Sequence, residues 1–221
     1  MELQAVIFDL NGTVLSDEDE YGAAFAIVLG RLGVGVNSKY PHVAGIGVEE
    51  NWPIFIKKYK IKTKKSIKEL ADETQNEYFK LIPKVTLNKG FFDFVNKLRK
   101  AGIKTALATS NSRGMVEKVF TKFNIEDLFD SVTTGEEVSL KKPAPQIFLK
   151  TKDKLNVIST NCVVIEDAAS GIEAAKLAGM KTIGLARSKT HELELKKADL
   201  VVNGFSELSL DRICKLFSKF T

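Results

Sequence analysis

Six residues, Asp9, Asn11, Thr109, Lys142, Glu166 and Asp167, have types and surroundings that could do chemistry. Asp9 ends the apolar run LQAVIF and opens the stretch Asp9-Leu10-Asn11-Gly12-Thr13. An acid, a short polar residue and a glycine directly after a buried strand read as a reactive loop, with Asp9 a nucleophile or a metal ligand. Thr109-Ser110-Asn111 follows IKTALA and supplies hydroxyl and amide donors. Lys142, in Lys141-Lys142-Pro143-Ala144-Pro145, supplies a cation, and Glu166-Asp167 follows CVVI with Gly171 a turn later.

Each group alone has an ordinary structural reading. A strand-end Asp, a Thr-Ser-Asn run or a Glu-Asp pair ahead of a helix also caps helices or complements their dipole. Together, in this order, they hold the parts needed for phosphoryl transfer, where positioning and charge stabilisation supply most of the catalysis. A carboxylate attacking a phosphate must overcome repulsion between two anions. A divalent cation held by Asp9 and Asp167 would relieve it, and an oxygen-only site suits Mg²⁺. Lys142 would neutralise further charge. The Thr109 hydroxyl and the N–H groups of Ser110 and Asn111 would bind phosphate oxygens, and attack by Asp9 would leave an aspartyl-phosphate.

These groups meet only if the elements carrying them share one edge. Apolar runs at 3–8, 103–109, 162–166, 181–185 and 199–202 read as strands. Between them, 88–100, 113–123 and 168–178 read as amphipathic helices. Strands alternating with helices predict an α/β fold with a parallel sheet covered on both faces, whose ligands bind at the carboxyl ends of the strands. Residues 18–32, 48–59 and 66–82 read as helices only, with Gly33, Gly35, Pro41, Gly45 and Gly47 punctuating the first gap. The expected organisation is a Rossmann-like core, 1–15 and 84–221, with a helical cap, 16–83, inserted after the first strand. Trp52 and Phe55, three apart on a helix, are expected in the core of that cap.

The chain has 221 residues, 44% of them hydrophobic, enough for one domain with an insertion. No apolar stretch reaches the ~18 residues of a membrane span. MELQAVIFDL has neither a basic lead nor a cleavage site, so a cytoplasmic location is expected. The two cysteines, Cys162 and Cys214, read as buried thiols, and the two histidines, His42 and His191, lack metal-ligand spacing. Part of the +5 net charge lies in KKYKIKTKKSIK, which matches no nucleic-acid motif and reads as a solvated face. The partner expected is a small phosphorylated metabolite, with no nucleic acid and no membrane, bound by a monomer.

FDLNGT, ALATSN, KKPAPQIF and VVIEDAASGIEAA resemble the four motifs of the haloacid dehalogenase superfamily. KPAPQIF and IEDAASGIEAAKLAGM are most similar to its phosphatase and β-phosphoglucomutase branch with a small helical cap. The resemblance implies Asp9 as nucleophile, with the Asn11 carbonyl and Asp167 as Mg²⁺ ligands and Glu166 close by. It also implies Thr109 as the phosphate-binding hydroxyl, with Lys142 as the charge partner. Asn76-Glu77-Tyr78-Phe79-Lys80 resembles a late cap-helix segment of the mutases, which implies Lys80 as a substrate contact.

Asn11 departs from the pattern. Phosphatases and phosphomutases of the family carry Asp there to protonate the leaving oxygen and then activate the attacking water or hydroxyl. An amide keeps the size and the hydrogen bonding but exchanges no proton at neutral pH. General acid–base catalysis contributes about 10²–10⁴-fold, so both half-reactions should be slow. The sequence leaves three accounts open: an Asp-to-Asn change made to trap a complex, a natural asparagine in a slow phosphatase, and a protein that binds a phosphorylated ligand or partner without turnover. A β-phosphoglucomutase-like phosphotransferase is the alternative enzyme. Phosphonate hydrolysis fits poorly, because residues 17–30 contain no lysine for a Schiff base.

Overall fold

The computed structural model describes residues 2–37, 41–43 and 46–218, so the expectation for Gly45 lies outside the described residues. The strands are β1 (Ala5–Phe8), β2 (Leu15–Ser16), β3 (Thr86–Leu87), β4 (Lys104–Ala108), β5 (Ser131–Thr133), β6 (Cys162–Glu166), β7 (Lys181–Leu185) and β8 (Leu200–Val202). The α-helices are α1 (Glu18–Arg31), α2 (Val48–Tyr59), α3 (Ile67–Leu81), α4 (Phe91–Lys100) and α5 (Arg113–Phe123). Four more follow: α6 (Gln146–Leu155), α7 (Ala169–Leu177), α8 (Lys189–Glu194) and α9 (Leu210–Cys214).

Among the described residues the main sheet has six strands in the order β5-β4-β1-β6-β7-β8, all parallel. The expected Rossmann-like α/β fold is therefore present. The strand order reverses at β1, between β4 and β6. That reversal opens the crevice in which open α/β sheets bind ligands. Asp9 follows β1, Thr109 follows β4, and β6 ends in Glu166. The crevice thus receives one functional segment from each of its three strands.

Every residue of β1 is buried, and successive side chains enter opposite layers. Phe8 packs edge-on against Phe91 of α4, with ring centroids 5.5 Å apart. Ala5 and Ile7 face the other layer, with Ile147 and Phe148 of α6. Covering both faces explains why the strand is an unbroken apolar run. Helix α4 begins three residues later than expected, because Gly90 adopts a positive φ of 84° at its N-cap.

Between β2 and β3 the chain forms α1, α2 and α3, which pack on one another. Trp52 and Phe55 are fully buried there, and the Trp52 indole N–H donates to Thr74 Oγ1 at 3.1 Å. Ser66 caps α3 through a reciprocal capping box with Glu69. Strands β2 and β3 pair antiparallel, Leu15 opposite Leu87 and Ser16 opposite Thr86, where the chain leaves and re-enters the main sheet. Cys162 is buried as expected, but Cys214 is exposed, since the short α9 turns it away from the core. No described helix is long and apolar enough to cross a membrane.

Candidate active site

Lys142 is the centre of the buried charge. Its Nζ donates to Asp9 Oδ1 at 2.5 Å and to Glu166 Oε1 at 2.7 Å, and all three side chains are almost entirely out of solvent. Burial works to lower the Lys142 pKa, but the adjacent Asp9 and Glu166 charges overcome it and raise it. The lysine is therefore a permanent cation. Glu166 Oε2 accepts from the Ala168 N–H at 2.7 Å, so both carboxylate oxygens have protein partners. A β-carbon at Gly171 would lie 1.7 Å from Glu166 Oε1, which explains the glycine a turn after the Glu-Asp pair.

Asp167 is placed differently. Its Oδ1 accepts from the Thr13 hydroxyl at 3.5 Å, while its buried Oδ2 has no hydrogen-bond partner. Gly12, at a φ of 72°, lets the loop pass so close that a β-carbon there would meet Asp167 Oδ2 at 2.0 Å. Oxygens of Asp9, Glu166 and Asp167 lie within 4.8 Å of one another. Against these three carboxylates stand Lys142 and, 3.8 Å from Asp167, Arg187, which also pairs with Glu18 at 2.8 Å. Burial, with Glu18, Glu166 and Asp9 nearby, pushes Asp167 well above the usual carboxylate range. Burial also pushes Asp9 up to about 7, although Lys142 pulls it down. An orphaned buried oxygen among excess acids is a donor set that fits a hard divalent cation.

This charge balance has a measurable consequence. The folded pKa of Asp9 lies above its unfolded value near 3.8, so its contribution to stability is complete below that pH and lost as pH rises through about 7. A cation bound by deprotonated carboxylates restores stability where it has been lost. Millimolar Mg²⁺ is expected to raise the melting temperature more at about pH 8 than at about pH 5.5. A scanning calorimetry series across that range tests this. An increment that is absent, or equal at both ends, contradicts it.

The third group lies above the carboxyl end of β4. Thr109 is buried, and its Oγ1 accepts from the Asn111 N–H at 3.2 Å and from Asn111 Nδ2 at 3.1 Å. Asn111 Nδ2 also donates to Asn11 Oδ1, and Asn11 Nδ2 donates to Asp17. Asp17 accepts further from the Gly12 N–H at 3.0 Å and from the Tyr78 hydroxyl at 2.6 Å. The Tyr21 hydroxyl donates to Asn111 Oδ1 at 3.0 Å, and the Tyr21 and Tyr78 rings stack at 3.9 Å. Burial pushes Asp17 up to about 6, against the pull of its hydrogen bonds. It also raises both tyrosines, which stay protonated donors.

A cleft opens over these groups, lined by Asp9, Asn11 and Thr109 to Asn111 below and by Glu18, Tyr21, His42 and Asn51 above. The structure thus gathers Asp9, Asn11, Gly12, Thr13, Thr109, Ser110, Asn111, Lys142, Glu166 and Asp167 around one crevice.

Lys80 is not brought there. Its Nζ pairs with Glu77 at 2.7 Å on the outer face of α3, and its side chain is 66% exposed. At 3.6 residues per turn, positions 78 and 80 point about 200° apart. The NEYFK segment therefore reaches the crevice through Tyr78 instead. Asp17 and Arg187 were not singled out by the sequence, and Tyr78 stood in the NEYFK segment with no role assigned to it. Asp17 had a signal, an acid at a helix start eight residues past Asp9, but its partner Tyr78 lies sixty-one residues further on.

The sequence pattern of the haloacid dehalogenase-like hydrolases matches residues 6–185. The chain belongs to this family. Within it, the chain is 31% identical over 183 residues to a phosphorylated carbohydrates phosphatase of Thermotoga maritima, covering 82% of this chain and 84% of the relative. It is 26% identical to hexitol phosphatase B of Escherichia coli, covering 94% and 95%. The crystal structure of a β-phosphoglucomutase from Clostridium difficile superposes with a TM-score of 0.86 at 26% identity, covering 97% of both chains. The chain is a haloacid dehalogenase-like enzyme of the phosphatase and β-phosphoglucomutase branch.

Proposed function

We propose that the chain is a Mg²⁺-dependent phosphatase of small phosphomonoesters of the sugar or polyol phosphate kind, working through an aspartyl-phosphate on Asp9. The observation that carries this reading is the Lys142 bridge, which holds Asp9 at the switch point of the sheet beside Asp167 and opposite Thr109. The helical segment 16–83 acts as the cap that selects the substrate. The activities of two relatives, the phosphorylated carbohydrates phosphatase and hexitol phosphatase B, support the substrate class.

Asp9, Asp167 and the Asn11 carbonyl would hold Mg²⁺. When bound, the ion offsets the repulsion between the two anions and polarises a phosphoryl oxygen. Asp9 attacks phosphorus in line while Lys142 holds its charge in place. The Thr109 hydroxyl and the loop N–H groups receive the equatorial oxygens. Water then hydrolyses the acyl phosphate.

Asn11 moves no proton in either step, so the leaving oxygen departs without help. Aryl phosphates, whose leaving group needs no protonation, should phosphorylate Asp9 readily, whereas alkyl phosphates should react slowly. Unassisted hydrolysis should then make the phospho-enzyme accumulate as a burst approaching one equivalent. The placement of Lys80 outside the cleft removes the cap contact that the NEYFK likeness implied for the mutase alternative, and so favours hydrolysis.

Phosphate release and phospho-enzyme formation from an aryl phosphate and a panel of sugar and polyol phosphates, with and without Mg²⁺, test this. Mg²⁺-dependent release with the burst supports the reading. A folded protein that binds Mg²⁺ yet yields neither product from any ester overturns it.

A further inference from the structure

Asn11 is tied into the structure at both ends of its amide. Its Nδ2 donates to Asp17, and its Oδ1 accepts from Asn111 Nδ2. Asp17 fixes this orientation, because an ionised carboxylate can only accept. Its other two partners, the Gly12 N–H and the Tyr78 hydroxyl, are both donors. Direction then propagates. Asn11 must turn its NH₂ to Asp17 and its oxygen to Asn111. Asn111 must turn its NH₂ to Asn11 and Thr109, and its oxygen to the Tyr21 hydroxyl. One buried carboxylate orders a relay of side chains from the start of α1, through the Asp9 loop, to the phosphate-binding loop.

From this we infer that Asp17 is the positioning residue that makes asparagine the working residue at 11, through a carboxylate–amide pair that orients Asn111 over the phosphate site. The inference rests on the phosphatase reading of the crevice. It makes Asn11 the chain's own residue rather than a damaged aspartate. A carboxylate at 11 would face the Asp17 carboxylate, so that the pair must either take up a shared proton or repel, and Asp17 would lose its amide donor. Exchanging both residues keeps the pair satisfied, since an amide at position 17 would donate to the carboxylate at position 11, and Asn111 would too.

The test is the four-protein cycle of the wild type, Asn11→Asp, Asp17→Asn and the double exchange, read by denaturant midpoint and by kcat and KM for an alkyl phosphate. Asn11→Asp alone is expected to lower the midpoint, and adding Asp17→Asn to restore it. In kcat, the double exchange should gain about 10²-fold over wild type, the low end of acid–base assistance. The single Asn11→Asp variant should fall short of the double by about tenfold or more, a coupling expected of directly paired groups. KM should change little, which a merely structural defect would not spare.

Additive midpoints, with Asn11→Asp as fast and as stable as the double exchange, overturn the inference. If none of the four proteins releases phosphate, the phosphatase reading fails, and the midpoint cycle alone decides the pairing.

Discussion

Asp9→Asn is expected to reduce phosphate release by on the order of 10⁴-fold or more, the scale of removing a covalent nucleophile. The replacement is isosteric, and no group beside it is placed to take over. Lys142 cannot attack, being a cation shared with Glu166 at 2.7 Å. Glu166 has both oxygens engaged, and Asp167 faces Thr13 and Arg187. The burst should vanish together with steady-state release, because both require the acyl phosphate.

Stability should move the other way. Burial pushes the Asp9 carboxyl up to about 7, so near neutral pH its ionised form costs the fold stability that an amide does not. The melting temperature of the variant relative to wild type should therefore rise as pH goes from about 4 to about 7. Calorimetry and a phosphate assay on the same preparations separate this from misfolding. Residual Mg²⁺-dependent turnover within about tenfold of wild type would assign the nucleophile elsewhere.

The sequence made the main sheet legible because buried parallel strands are continuous apolar runs, as Ala5–Phe8 and Cys162–Glu166 are. Strand β5, three residues at the sheet edge, and the β2–β3 ribbon, two residues each way, are too short to carry a period. Residues at strand ends were legible for a related reason. Strand order alone brings Asp9, Thr109 and Glu166 to one crevice. The Asn11 relay was not, since its members come from α1, α3 and two loops, and pair through hydrogen bonds that no local pattern encodes. Lys80 shows the limit of a motif likeness: NEYFK is placed at the site, but the helix turns Tyr78 inward and Lys80 outward.

Lys142→Met should weaken both fold and catalysis, and the two losses can be separated. Without the ammonium group, Asp9 and Glu166 face one another in a site largely out of solvent. Breaking a buried pair from one side costs about 3–5 kcal/mol, because it leaves uncompensated charge. The two carboxyls would then favour a shared proton, so the loss should be largest at alkaline pH and shrink as pH falls. Adding Glu166→Gln removes one of the stranded charges while keeping an oxygen for the Ala168 N–H. The double variant Lys142→Met/Glu166→Gln should therefore recover most of the stability, measurable as a denaturant midpoint at about pH 8. Phosphate release should stay about 10²–10³-fold below wild type, because no fixed cation remains beside the charge that develops on the transferring group. Recovery of activity along with stability would make Lys142 a prop for the fold. Recovery of stability alone would make it part of the chemistry.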